Sequence, residues 1–286
     1  MNVNTNLHST TSLSLLASVF VLGAFPSGTA AQDDPPASIK LTGIIRDFRP
    51  SHPDFDIVPP EGWGHYMWNI APELGADNRP IFVGGGSKVD TQCHDSTARP
   101  ICWTLYDPDR GDTPAVKGSA DSGSITSAAT FNQWFHDIPG VNMSAPLTVI
   151  GVKQVDGPYA GMYEISIPQF FPIDGALFGN DSAHNHYFTF EVVAEFVYDE
   201  SANYELLFKS DDDVWVFLED TMIADLGGMK GSPEQWVDLN RIGLVDGQTY
   251  RLYFFKTHRS GQSRFHLVTN IPLNSVPLGT ISAAFD

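Results

Sequence analysis

Basic residues are scarce in this chain of 286 residues. Lys and Arg number 16 against 34 Asp and Glu, which gives a formal net charge of −18 at pH 7. Such a surface repels a phosphate backbone, so the composition argues against nucleic acid as a partner. The acidic excess suits a calcium-rich exterior, where a divalent cation neutralises clusters of carboxylates.

Long apolar runs are also lacking. The one candidate, residues 13–25, lies within residues 1–31, which contain no Lys, Arg, Asp or Glu. It is too short and too interrupted by serine for a membrane span, and the small residues at 29–31 suit signal-peptidase cleavage. We therefore expect residues 1–31 to be a secretory signal peptide and residues 32–39 a flexible leader. The protein is expected to be secreted, soluble and without a membrane span.

Cysteine is nearly absent, and the two that occur, Cys93 and Cys102, lie close together. In the oxidising compartment that a signal peptide implies, we expect them to form a disulfide. Closing so small a loop stabilises a fold by about 2–3 kcal/mol in the chain-entropy model. Metal binding through the two thiols and His94 is the alternative, but the spacing is not that of a zinc site.

Aromatic residues (12%), glycine (25) and proline (20) are abundant, and charged residues make up only 17% of the chain. This composition favours a turn-rich all-β protein. Residues 40–150 show no regular pattern apart from a predicted helix at 127–135, where Ala128, Phe131 and Trp134 recur at helical spacing. Short β-branched and aromatic runs predict strands at 147–153, 162–168, 187–198, 203–209, 214–218, 221–225, 235–239, 250–256 and 264–270.

The most informative segment is residues 208–217, Phe-Lys-Ser-Asp-Asp-Asp-Val-Trp-Val-Phe. Three consecutive carboxylates, Asp211–Asp213, separate two runs typical of buried strand, and we call them the acidic corner. Adjacent like charges near a core are costly unless a cation such as Ca²⁺ neutralises them. A solvated acidic turn is the plainer interpretation. Apolar and polar residues then alternate on either side of Glu219-Asp220, which predicts a β-hairpin that turns at these two acids.

This segment resembles the protective-antigen-type β-barrel module, specifically its fibro-slime branch, in which the same pattern runs into Asp-Leu-Gly-Gly (here 225–228). Further segments resemble that branch in the expected order, at 43–55, 131–142, 170–175, 185–189, 244–255 and 263–269. The resemblance implies one all-β domain at 40–275, followed by a C-terminal tail at 276–286. The implied fold is a protective-antigen-like β-sandwich or barrel with long irregular N-terminal insertions and one short helix.

The resemblance also implies a Ca²⁺ site at the acidic corner. In calcium-dependent members of the wider family, two neighbouring aspartates joined by a cis peptide bond hold the ion, and they correspond to Asp211 and Asp212. A cis bond turns two adjacent carboxylates toward one ion, whereas an extended strand points them to opposite faces. Asp213 completes the candidate metal set, together with Gln262 and Ser263 by family position.

Asp213 departs from the family pattern, because many relatives carry a small residue there. Either the extra carboxylate takes up a coordination position on the ion and blocks sugar, or it forms a salt bridge and the corner holds no metal. Arg241 and Arg259 are the candidate partners for that salt bridge. The sequence alone leaves these alternatives open.

The function that the resemblance implies is a secreted, calcium-dependent carbohydrate-binding or adhesion module whose partners are glycans or a cell-surface polysaccharide. Exposed Ca²⁺ binds vicinal sugar hydroxyls, and an aromatic face adds apolar contact to a pyranose ring. Trp63, Trp68 and Trp236 are candidates for that contact, but the sequence does not choose among them. The alternative is a structural matrix or coat protein that binds other matrix proteins or itself, in which the corner only stiffens the fold.

Catalysis is not expected. No Gly-x-Ser-x-Gly elbow, His-Glu-x-x-His helix or phosphate-cradling glycine loop occurs, and nothing singles out the pair of carboxylates that a glycosidase needs. His184 and His186 have the spacing of a transition-metal pair on one strand face. Surface or hydrogen-bonded histidines are the favoured interpretation.

Overall fold

The computed structural model describes residues 35–229 and 231–278. The predicted signal peptide, residues 32–34 of the predicted leader and residues 279–286 of the predicted tail therefore lie outside the described residues. Within the described part, no helix is long and apolar enough to cross a membrane. The strands are β1 Ser38–Phe48, β2 Tyr66–Met67, β3 Ser87–Thr91, β4 Cys93–His94, β5 Pro100–Ile101, β6 Val116–Ala120, β7 Asn142–Lys153, β8 Tyr163–Ile167, β9 Phe188–Val197, β10 Glu205–Asp211, β11 Val214–Leu218, β12 Thr221–Leu226, β13 Glu234–Asp238, β14 Thr249–His258, β15 Arg264–Thr269 and β16 Asn274–Val276. The α-helix is α1 Ala128–Phe131, and short 3₁₀ turns occur at Trp103–Leu105, Pro108–Arg110, Glu200–Ala202 and Leu239–Arg241.

The fold is all-β, as the composition predicts. A 13-stranded sheet has the order β12-β11-β14-β9-β1-β7-β8-β15-β10-β13-β5-β4, with β16 paired to β9, and a small second sheet has the order β2-β3-β6. The large sheet packs on itself as two layers, because apolar residues from both halves of the strand order share one core. Val216 and Phe254 from one half meet Phe208 and Leu267 from the other.

The nine strands predicted from residue 147 onward all occur, and the hairpin turns at Glu219-Asp220 as predicted. The expectation that residues 40–150 have no regular pattern is wrong at β1. This strand lies between β7 and β9 and pairs with β7 along its whole length. Its alternation was obscured at its end, where Arg46 and Asp47 are buried.

Residues between β1 and β7 form the irregular N-terminal insertions. They cover the outer face of β11 and β14 and create a second core that includes Phe55 and Trp134. Successive residues of β11 therefore point into different cores: Val214 and Val216 into the first, Trp215 and Phe217 into the second. Burial on both faces explains why β11 is apolar at every position.

The predicted helix is shorter than expected. It spans only Ala128–Phe131, where Ser127 and Thr130 form a capping box at its N-terminus. The two aromatic residues whose spacing predicts the helix are nevertheless buried: Phe131 is 2% exposed and Trp134 is fully enclosed. The Trp134 indole donates a hydrogen bond of 3.0 Å to Asp54 Oδ2, so its one polar atom is satisfied inside the core.

The two cysteines are free, buried thiols in the structure, where the sequence predicts a disulfide. Cys93 lies in β4 opposite Ile101, not opposite Cys102. Each sulfur also has its own local contact. The Ala115 N–H donates to Cys93 Sγ at 3.2 Å, and the Thr104 hydroxyl donates to Cys102 Sγ at 3.1 Å.

Candidate functional site

The acidic corner lies where the chain passes from β10 to β11, at one end of the sandwich. Asp211 is the last residue of β10 and pairs with Arg264 at the start of β15. The Asp212 N–H donates to the Thr257 carbonyl at 3.1 Å, and the Thr257 N–H donates to the Asp213 carbonyl at 2.9 Å. The corner therefore lies against the end of β14 and the start of β15, with the β14–β15 loop (259–263) beside it.

All three carboxylates are enclosed. Asp211, Asp212 and Asp213 are 5%, 2% and 1% exposed. The solvated acidic turn is therefore wrong. The peptide bond between Asp211 and Asp212 is cis, as the family resemblance implies.

Asp213 is paired within the protein. Arg259 Nε lies 2.9 Å from Asp213 Oδ2, and a terminal guanidinium nitrogen of Arg259 donates to Asp213 Oδ1 at 3.1 Å. The Gly228 N–H donates to the same Oδ1 at 2.5 Å. Arg259 is fully buried and lies over the Trp134 ring, 5.3 Å from its centre. Of the two predicted salt bridges, the structure forms the one with Arg259.

The other candidate partner of Asp213, Arg241, lies elsewhere. Its guanidinium forms a bidentate pair with Asp112, at 2.7 and 2.8 Å. The bidentate pair holds the pKa of Asp112 below its usual range. Arg241 is therefore not part of the acidic corner.

Asp212 is held by the backbone of the β14–β15 loop. Its Oδ2 accepts hydrogen bonds from the N–H groups of Arg259 (2.8 Å) and Ser260 (3.2 Å). Burial alone raises the pKa of this carboxyl, but hydrogen bonds from His258 and the Arg259 N–H and the nearby guanidinium outweigh it and leave the pKa below its usual value. Asp212 is thus an ionised, buried acceptor that fixes the loop.

Asp211 is held differently. Its Oδ1 accepts a hydrogen bond from the Ser232 N–H, while Lys256 Nζ donates to its backbone carbonyl and, at 2.9 Å, to Ser210 Oγ. Within residues 35–229 and 231–278, no salt bridge reaches the Asp211 carboxylate. Among the described residues, its negative charge is therefore balanced less directly than that of Asp213.

Lys256 and His258 also belong to the corner, although the sequence analysis does not place their side chains in the candidate site. Both are fully buried, and His258 Nδ1 lies 3.3 Å from Asp212 Oδ2. Burial lowers the pKa of His258, so the ring is neutral at pH 7. The available signal was the run Lys-Thr-His-Arg at 256–259, four polar residues that directly follow the aromatic run 253–255 of β14.

The two loop residues of the predicted metal set differ in burial. Gln262 is exposed, whereas Ser263 is 1% exposed. The Ser263 carbonyl accepts from the Phe170 N–H at 2.9 Å, and its hydroxyl has no hydrogen-bond partner among the described residues. In the same part of the chain, no group of three or more His, Cys, Asp or Glu side chains is placed to hold a metal ion.

Comparison with known families bears directly on this region. Residues 173–277 match the PA14 domain. The matched segment contains β9 to β16 and therefore the whole acidic corner with the β14–β15 loop.

The chain is also similar to proteins of Dictyostelium discoideum. It is 29% identical to protein psiC over 252 residues, which cover 84% of this chain and 42% of psiC. It is 30% identical to protein psiD over 248 residues, which cover 82% of this chain and 42% of psiD. The chain thus spans about two-fifths of the length of these relatives. The narrower fibro-slime assignment stays a prediction.

The two histidines near the start of the PA14 segment are hydrogen-bonded. His184 Nδ1 lies 2.6 Å from Asp174 Oδ2, and His186 Nδ1 lies 3.4 Å from Asp181 Oδ2. The His184 ring also stacks on Phe171, with centres 3.9 Å apart. These contacts agree with the favoured interpretation of surface or hydrogen-bonded histidines.

The three candidate tryptophans are in different environments. The Trp68 ring faces Lys117 Nζ at 4.4 Å, and the Trp236 ring faces the Arg99 guanidinium at 5.4 Å. Trp63 is 51% exposed and lies in the N-terminal insertions, outside the PA14 segment.

Proposed function

We propose that this chain is a secreted, non-catalytic carbohydrate-binding or adhesion module of the PA14 type, and that it binds glycans with Ca²⁺ held at the acidic corner. The observation that carries the proposal is the buried Asp211 carboxylate without a salt bridge among the described residues, together with the unsatisfied, buried hydroxyl of Ser263. Ser263 directly precedes Arg264, which pairs with Asp211. Buried charges are normally paired or bind a metal ion.

The chemistry of the donors supports calcium over a transition metal. The residues that would hold the ion are Asp211 and Asp212, the Ser263 hydroxyl and backbone carbonyls of the 259–263 loop, with exposed Gln262 as a further candidate. These are all oxygen donors, which Ca²⁺ prefers and accepts in irregular geometry. When bound, Ca²⁺ would supply a Lewis-acid centre for vicinal sugar hydroxyls.

Asp213 is removed from this metal set. Its two oxygens are engaged by Arg259 and the Gly228 N–H, and recruiting it to an ion would leave Arg259 buried without its partner. The third carboxylate therefore serves to fix the β14–β15 loop, and it leaves Asp211 and Asp212 as the carboxylate ligands.

A glycan array tests the proposal. The protein is applied in calcium and in excess EDTA, alongside Asp211→Asn/Asp212→Asn and the control Asp156→Asn. The control makes the same chemical change at an exposed acid in the β7–β8 turn, at the opposite end of the sandwich. We expect wild type and control to bind in calcium only, and the double variant to bind in neither condition. Glycan binding that persists in EDTA would contradict a metal-mediated site.

The burial of the acidic corner favours the alternative function, a structural matrix or coat protein. The three acids are at most 5% exposed, and an ion enclosed at this depth has few open positions for a sugar. In that case calcium would stiffen a matrix or coat protein. Calcium-dependent self-association in sedimentation experiments, together with no binding on the glycan array, would favour this alternative.

A further inference from the structure

We infer that the loop at residues 56–64 forms the apolar wall of the ligand site, and that Trp63 is the surface on which the C–H face of a pyranose lies. This inference rests on the proposed function, because it assumes that the ligand at the acidic corner is a carbohydrate. It assigns the recognition of the ring to the N-terminal insertions, outside the PA14 segment.

The loop is attached to the acidic corner at both ends. At its start, the Asp56 N–H donates to the carbonyl of Arg259, the partner of Asp213, at 3.4 Å. At its end, the Gly64 N–H donates to the Met229 carbonyl at 2.9 Å. Met229 adjoins Gly228, whose N–H donates to Asp213. Residues 56–64 therefore lie directly beside the corner.

The approach of the loop is close. A side chain at Gly228 would meet Tyr66 at 2.5 Å and the Gly64 carbonyl at 2.6 Å. The Tyr66 N–H also donates to the Gly227 carbonyl at 2.8 Å. The glycine pair after β12 thus lets the Trp63 loop pack against the backbone of the corner.

The loop is braced internally as well. The Gly62 N–H donates to the Pro59 carbonyl at 2.8 Å, and the Tyr66 hydroxyl donates to the Gly62 carbonyl at 2.5 Å. Lys88 Nζ donates to the Glu61 carbonyl at 2.7 Å. The backbone just before residue 63 is therefore held by the protein itself, without a ligand.

Apolar side chains of this loop face solvent together. Trp63 is 51% exposed, Val58 55% and Ile57 41%. Trp63 is the most exposed of the six tryptophans, since the others are buried or half-buried. A sugar ring has a polar edge of hydroxyls and an apolar face of C–H groups. An exposed indole on a loop that adjoins the buried carboxylates is complementary to both parts of such a ligand.

The test compares wild type, Trp63→Ala and Trp63→Tyr as full chains in calcium, on the same glycan array and in calorimetric calcium titrations. We expect Trp63→Ala to weaken glycan binding by roughly tenfold, about 1.4 kcal/mol, and Trp63→Tyr to retain most of it. Calcium affinity is expected to be unchanged in both variants. Val155→Ala, at a 92% exposed position in the β7–β8 turn, is the control for loss of an exposed apolar side chain.

The outcomes separate this inference from the proposed function. If Trp63→Ala binds glycans as wild type does, while the Asp211→Asn/Asp212→Asn variant does not, the assignment of Trp63 as a sugar contact is wrong. The proposed calcium site is retained in that case. If wild type binds no glycan in calcium, both are overturned. If Trp63→Ala loses calcium as well as glycan, residue 63 supports the fold of the corner and is not a contact for the ring.

Discussion

The buried pair of Arg259 and Asp213 makes a sharp prediction about stability. Arg259→Met removes the guanidinium but keeps a long apolar side chain over Trp134, so the loss of packing is small. Asp213 then remains at 1% exposure with one hydrogen-bond donor in the described part of the chain, the Gly228 N–H. A buried carboxylate that has lost its cation is the dominant cost of this substitution.

Breaking a buried pair by removing one partner costs about 3–5 kcal/mol. Asp213→Asn alone should cost a similar amount, because it leaves the fully buried Arg259 unpaired. The double variant carries neither charge. It should therefore be more stable than the sum of the two single losses implies, by about 2–3 kcal/mol. The free energy of unfolding of a globular domain is about 5–15 kcal/mol, so the unfolding transitions of all three variants should stay measurable.

The assay is urea denaturation followed by circular dichroism, in EDTA so that calcium binding does not contribute. Midpoints are compared at equal slope, because a change in slope signals altered compactness and not only altered stability. Additive losses, within about 0.5 kcal/mol, would refute the pairing. A loss of less than about 1 kcal/mol for Arg259→Met would show that the site is more hydrated than the structure indicates.

Three further predictions concern other parts of the fold. Burial raises the pKa of Asp47 from 3.8 to about 6, so ionisation of this group lowers the free energy of unfolding of the wild type as pH rises from 4 to 6. The free energy of unfolding of Asp47→Asn relative to wild type should therefore rise across that window by up to about 3 kcal/mol. A difference that stays constant with pH in denaturation experiments would contradict this prediction. Burial raises the pKa of the Cys102 thiol to about 12, which disfavours the reactive thiolate. Mass spectrometry after unfolding and alkylation without reductant should therefore find Cys93 and Cys102 both modified. Two unmodified cysteines would show that the disulfide predicted from the sequence forms after all. Gly228→Ala should cost more than about 2 kcal/mol, because its φ of 102° and the neighbouring loop leave no room for a side chain; Gly231→Ala, which has open space, is the control and should melt within a few degrees of wild type.

Much of the fold could be predicted because its signals are local. From β7 onward, apolar and polar residues alternate within single strands, and turn residues separate the strands. β1 was missed because it ends in Arg46 and Asp47, whose burial depends on partners far away in the chain, such as Glu191 (3.0 Å from Arg46) and the Phe178 N–H (2.7 Å from Asp47). No local pattern reports contacts of that range.

The candidate site shows the same division. The three acids stand out in the sequence, and their position between two apolar runs indicates burial. Choosing between Arg241 and Arg259 as the partner of Asp213 required the tertiary structure, since neither is close to it in sequence. The place of Trp63 beside the corner is likewise a long-range result, set by backbone contacts of residues 56–64 with Met229 and Arg259.

The central claim is that the acidic corner holds calcium through Asp211 and Asp212. Calorimetric titration of calcium into wild type, Asp211→Asn/Asp212→Asn and Asp156→Asn tests it most directly. The account predicts saturable binding at one site in wild type and in Asp156→Asn, and none in the double variant. Absence of binding in wild type, or binding retained by a folded double variant, would contradict the account and leave the corner as a charged structural joint between β10 and β11.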